Sequence, residues 1–87
     1  MHEMGIANSI LEAVRTEAAA HAPARATKVG VKIGEMAGVE PSSLAFCFEV
    51  LVKGSDLEPL ELEIRPGTAD ELAFAYLELE EPELEGS

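Results

Sequence analysis

The chain has 87 residues, 47% of them hydrophobic, with 6 basic side chains against 17 acidic ones and a formal net charge of −11. At that length a single domain, residues 1–87, shares one core, and with no Trp, one Tyr and three Phe that core is aliphatic. So acidic a surface repels phosphate backbones and anionic lipid headgroups, which excludes nucleic acid and membrane as partners and leaves a basic protein or a metal cation.

Residues 4–21 carry Ala7, Ile10, Leu11, Val14 and Ala18 at spacings that line one helix face, with Glu12, Arg15, Thr16 and Glu17 mostly on the other. Gly5 is an acceptable cap, weaker than a serine, and Pro23 is the expected stop, since proline disfavours helical geometry in the residue before it. His21, at the end of this helix where a cation is favoured, reads as structural. Over 27–36 the period changes to two: Val29, Val31 and Ile33 point one way, Lys28, Gly30, Lys32 and Gly34 the other. That is a half-buried strand, in which Gly34 marks a bulge or a close backbone approach. Pro41 opens a second helix over 41–53, where its missing N–H costs nothing. Leu44, Phe48, Leu51 and Val52 form its inner face. Phe46, Cys47 and Val50 widen the apolar surface, which calls for cover on more than one side, by the sheet and, in a homodimer, by a second subunit; the sequence leaves the oligomeric state open. Gly54 is the expected stop.

Leu60-Glu61-Leu62-Glu63-Ile64 alternates as a second strand, and Pro66-Gly67 is a turn signal that predicts antiparallel pairing of the last two strands. The final segment reads two ways. Thr68 and Glu71 have capping-box spacing, with Leu72, Ala75, Tyr76 and Leu79 at helical intervals, yet Leu77-Glu78-Leu79-Glu80 alternates as a strand does. The acidic run Glu78, Glu80, Glu81, Glu83 and Glu85 reads as a solvated strand edge followed by a tail. Together the elements predict an α+β fold with two helices on one face of a small sheet.

The lone cysteine, Cys47, excludes an internal disulfide framework and a zinc site built from several thiolates. Within an apolar helix it reads as an inert core residue. No apolar run approaches the roughly 20 residues that span a bilayer. The start of the chain lacks the regions of a signal peptide, so the expected compartment is the cytoplasm. No nucleophile–base constellation or phosphate-binding glycine loop is present, and an enzyme is not expected.

The chemistry concentrates in the first three residues, Met1-His2-Glu3. The terminal amine, the His2 amide nitrogen and the His2 imidazole lie within chelating reach of one another. Nitrogen donors of this kind suit a divalent ion with a square-planar or tetragonal preference, Ni²⁺ or Cu²⁺. Amide ligation expels a proton, so binding weakens as the pH falls. The amine must also be free, because a residue added before Met1 removes one donor. Set against this, a histidine near a chain start is ordinarily an exposed polar residue, and an acid such as Glu3 is favoured before any helix.

Met1-His2-Glu3-Met4, leading into Ile6-Ala7-Asn8-Ser9-Ile10-Leu11, resembles the opening of the HypA/HybF family. Lys32-Ile33-Gly34-Glu35-Met36-Ala37-Gly38-Val39-Glu40-Pro41 is similar to the strand-turn-helix segment of that family, and Leu44, Phe46, Phe48-Glu49-Val50-Leu51 and Lys53-Gly54 continue the match. Leu60–Ile64 resembles the following strand, and Glu71-Leu72 with Leu77–Glu80 resembles the closing one. The resemblance thus favours a strand for the last segment: helix-strand-helix-strand-strand around a three-stranded sheet. It implies a nickel metallochaperone that delivers Ni²⁺ as cargo to nickel–iron hydrogenase, and in some relatives to urease, with a HypB-type GTPase and the hydrogenase large subunit as partners. The implied metal site is Met1, His2 and Glu3. One departure is large: family members carry a zinc ribbon of paired CxxC motifs between the last two strands. Here Arg65-Pro66-Gly67-Thr68-Ala69-Asp70-Glu71 contains no cysteine, so a turn at about 65–71 is expected in its place and no zinc. The alternative reading is a metal-free interaction module or adaptor in the same pathway.

Overall fold

The computed structural model describes residues 2–82. Five elements follow in chain order: α1 (Glu3–Ala20), β1 (Arg25–Gly34), α2 (Pro41–Val52), β2 (Glu61–Gly67) and β3 (Leu72–Glu80). The expected α+β architecture is present, and the segment that read two ways is a strand. The sheet order is β2-β1-β3, with β2 parallel and β3 antiparallel to the central β1. Of the acidic run, Glu78 and Glu80 lie on β3 and are exposed, while Glu83 and Glu85 fall outside the described residues.

The expected pairing of the last two strands is wrong, for a reason centred on Gly34. Pro66 and Gly67 do not form the turn; they continue β2, opposite Ile33 and Gly34. Proline is tolerated there because β2 is an edge strand. The chain then steps across the end of β1 instead of folding back beside β2. Gly34 N–H donates to the Glu71 carbonyl at 2.8 Å, and Met36 N–H donates to the Ala69 carbonyl at 2.8 Å. A Cβ on Gly34 would lie 2.1 Å from the Ala69 carbonyl oxygen. Gly34 therefore marks a close backbone approach. Thr68 N–H does donate to Glu71 Oε1 at 3.1 Å, so half of a capping box exists, but it closes a turn with no helix after it.

The pairing of β1 with β3 carries two bulges, one leaving Thr27 unpaired and one leaving Ala75 unpaired. Each bulge inserts a step of three into a period of two. Ala26, Val29, Val31 and Ile33 of β1 are thereby matched with Leu79, Leu77, Phe74 and Leu72 of β3 on the helix-covered face. The step from Phe74 to Leu77 blurs the strand period of this segment and lends it a helical look.

The core joins Ala7, Ile10, Leu11 and Val14 of α1 to Leu44, Phe48 and Val52 of α2 and to the inner face of β1. Leu44, Val14, Val29 and Val31 are fully buried, which contributes roughly 1.5–3 kcal/mol for each side chain of this size. The cap of α1 is His2, so Gly5 falls inside the first turn. At the other end His21 Nδ1 donates to the Glu17 carbonyl at 2.9 Å, a structural role consistent with its place. Phe46 and Val50 face away from the sheet, 68% and 48% exposed, so a single chain leaves that stripe of α2 uncovered. Cys47 is half-buried and packs against the core.

The uncovered face of the sheet is organised by Tyr76. Its ring lies over Gly30 of β1, where a Cβ would meet ring carbon at 2.0 Å. Its hydroxyl donates to Glu63 on β2, so one β3 side chain spans all three strands. Arg65 Nε donates to the same Glu63 Oε1 at 2.7 Å, and the guanidinium sits 4.7 Å from the centre of the Tyr76 ring. The tyrosine hydroxyl, and then Arg65, hold Glu63 below the usual carboxylate range, while the carboxylate pushes the phenol up.

Candidate metal centre

His2 stands at the threshold of α1 with extended backbone, φ −85° and ψ 99°. Its carbonyl accepts the first helical bond, from Ile6 N–H at 3.2 Å. Its imidazole makes no capping bond and is exposed. The first N–H groups of any helix lack intrahelical acceptors. The amides of His2 and Glu3 are therefore outside the helical ladder, and deprotonating them breaks no turn of α1. Amide anions at this position also meet the positive end of the helix dipole, which favours them. Met1, the third member of the expected set, lies outside the described residues.

Glu3 is held differently from His2. Its Oε2 accepts the backbone N–H of Glu40 at 3.1 Å. Glu40 in turn caps α2: its Oε1 accepts Ser42 N–H at 3.0 Å and the Ser42 hydroxyl at 2.6 Å. A relay of two carboxylates thus ties the start of α1 to the start of α2. The Glu40 N–H, and then the Glu3 N–H itself, hold Glu3 below the usual carboxylate range. The Ser42 hydroxyl and N–H do the same for Glu40. Sequence reasoning missed Glu40 as a neighbour of Glu3. Pro41 at the first helical position signals that residue 40 is a cap, but the contact with Glu3 depends on tertiary packing.

This relay has a defined pH signature. Both carboxyls have folded-state pKa values below their ordinary ones, so the stability they contribute is complete above the ordinary carboxylate range. It is lost as the pH falls through the folded values. Urea midpoints measured between pH 6 and pH 3 should fall with acidification. The fall should be shallower in Glu3→Gln, which keeps an acceptor for Glu40 N–H but cannot titrate. An unchanged profile in the variant would show that the relay is not ionised in the way its geometry requires.

His21 cannot share an ion with His2, since the 18 residues of α1 between them span about 27 Å. Among the described residues no three His, Cys, Asp or Glu side chains converge on a point that could hold a metal. The family model for hydrogenase/urease nickel incorporation metallochaperones, HypA, matches residues 1–71.

The chain belongs to the HypA family. It is 45% identical over 64 residues to the hydrogenase maturation factor HypA of Chlorobium limicola, covering 74% of this chain and 55% of the relative. With HypA of Escherichia coli K12 it is 40% identical over 70 residues, 80% of this chain and 60% of the relative. It thus spans between half and two thirds of the length of the curated relatives it matches. The fold is similar to the solution structure of the nickel metallochaperone HypA from Helicobacter pylori, with a TM-score of 0.70 at 19% identity over 87% of this chain and 72% of that one. Among the described residues of this HypA-family chain, no helix is long and apolar enough to cross a membrane.

Proposed function

We propose that this chain is a non-enzymatic nickel carrier in the maturation of nickel–iron hydrogenase, with urease as a second client class. In this reading the Met1 amine, the His2 amide and imidazole, and the Glu3 amide hold Ni²⁺ as cargo. The observation that carries it is the position of His2 and Glu3: an exposed imidazole beside two amides that the helix does not use. The Glu3 carboxylate, engaged with Glu40, orients the chain rather than supplying a ligand. A cytoplasmic setting, a HypB-type GTPase and the hydrogenase large subunit as partners, and self-association through the Phe46–Val50 stripe belong to the same reading.

The turn Thr68–Glu71 stands where the family inserts its zinc ribbon, and no zinc is expected on this domain. In this reading the insertion is replaced by the crossing over Gly34, which joins the ends of β2 and β3 on either side of β1.

The test is a calorimetric titration of Ni²⁺ into protein whose Met1 amine is free, beside the same protein with one residue added before Met1. The expected result is about one ion per chain at micromolar affinity or better, near −8 kcal/mol, lost in the extended form. Equal binding by both forms would remove the amine from the site, and no binding by either would favour the metal-free interaction module.

A further inference from the structure

The two edges of the sheet are built differently. The β2 edge is short and carries Arg65 and Pro66, devices that discourage further pairing. The β3 edge is nine residues long, with no proline, no glycine and no basic side chain. Among the described residues it is hydrogen-bonded to β1 on one side only. Above it runs an apolar groove in two joined parts. The first, about 770 Å³, is lined by Ile6, Ile10 and Ala13 of α1 against Leu72 and Phe74 of β3. The second, about 600 Å³, continues from Ala13 and Phe74 past Leu77 and Leu79 to His21. Leu72 and Phe74 are each 42% exposed, although they belong to the helix-covered face. The bulge at Ala75 keeps Phe74 and Leu77 both on the groove side.

Length and charge narrow the occupant. Nine residues of β3 extend about 30 Å, and the 18 residues of α1 about 27 Å. An extended segment of eight or nine residues therefore matches both walls. Its main chain would satisfy the free edge, and alternate side chains would enter the groove. The other face of β3 presents Glu78 and Glu80, and Glu17 stands on the groove wall. A second copy of this chain would bring the same acids edge to edge, within a molecule already at −11. A basic strand meets the opposite sign.

We propose that the β3 edge and the groove between α1 and β3 receive an extended segment of a partner protein as a fourth strand. Its inward residues are apolar and its outward residues are lysine or arginine. His2 lines the head of the groove, so the docked segment ends beside the first helical residue. The proposal needs no nickel and is tested without it, so its failure leaves the terminal chelate untouched.

The probe is a capped nine-residue peptide alternating valine and lysine, titrated into the full chain in metal-free buffer and followed by backbone amide shifts and calorimetry. Saturable binding at one peptide per chain, with new exchange protection confined to β3, is the expected result. Phe74→Ser and Ala13→Gln, which leave the net charge unchanged, should each weaken it at least about tenfold, the second serving if the first fails to fold. The same peptide N-methylated on one edge should also lose at least about tenfold, since it keeps the charge but cannot pair. Three results would overturn the proposal. One is equal binding by the N-methylated peptide, which would mean charge attraction alone. Another is tighter binding of a helical peptide of the same composition. The third is a concentration-dependent dimer that Phe74→Ser dissociates, which would make a second copy the occupant.

Discussion

Gly34→Ala is expected to destabilise the fold by about 3 kcal/mol or more, read as a lowered urea midpoint at unchanged slope. The added Cβ would stand 2.1 Å from the Ala69 carbonyl oxygen and 2.6 Å from that of Thr68. Both are main-chain atoms of the turn that crosses the end of β1, so neither can rotate away as a side chain would. Relief requires the turn to lift, which breaks the bonds from Gly34 N–H to Glu71 and from Met36 N–H to Ala69. A domain of 87 residues has only roughly 4–13 kcal/mol in total, so the loss is a large share of what holds it folded. Gly30→Ala is the natural comparison. The three atoms nearest its Cβ all belong to the ring of Tyr76, a side chain that can swing outward, and the loss should be smaller. Equal losses, or none at Gly34, would show that the crossing is not fixed by that glycine.

His2→Ala is expected to lower nickel affinity at least about 100-fold, near 2.8 kcal/mol, in calorimetry on protein with a free amine. The imidazole is the one side-chain nitrogen in the proposed set, and it is exposed and makes no capping bond to α1, so its removal takes away a donor without disturbing α1. Glu3→Gln should leave the affinity within about threefold, because the Glu3 carboxylate already accepts a bond from Glu40 and the amide side chain can do the same. A comparable loss in both variants would make the carboxylate a ligand. An unchanged affinity in His2→Ala would overturn the terminal chelate.

Much of this fold is legible from local pattern. The inner faces of both helices follow the 3.6-residue period, and β1 shows its alternation, because each buries one side against one layer. The metal-binding candidates are also local, being three consecutive residues. What sequence reasoning got wrong is non-local. The order β2-β1-β3 depends on a main-chain crossing at Gly34, and a turn signal at Pro66-Gly67 cannot reveal a third strand lying between its two arms. The pairing of Glu3 with Glu40 depends likewise on how two helices meet. The period of β3 was hidden by a single unpaired residue, Ala75, whose bulge is set by the partner strand. Gly5 is acceptable as a cap by residue type, yet His2 occupies that position with its main chain alone.

Tyr76 is the chain's one tyrosine, and there is no tryptophan, so it dominates the near-ultraviolet absorption and emission of the whole molecule. A phenol bonded to a carboxylate loses its excited-state proton readily and emits weakly; once that bond opens, emission rises. Because the bond joins β3 to β2 across β1, this built-in optical reporter brightens when either outer strand leaves the central one. It lies on the face of the sheet away from both helices, so the reading concerns strand docking alone.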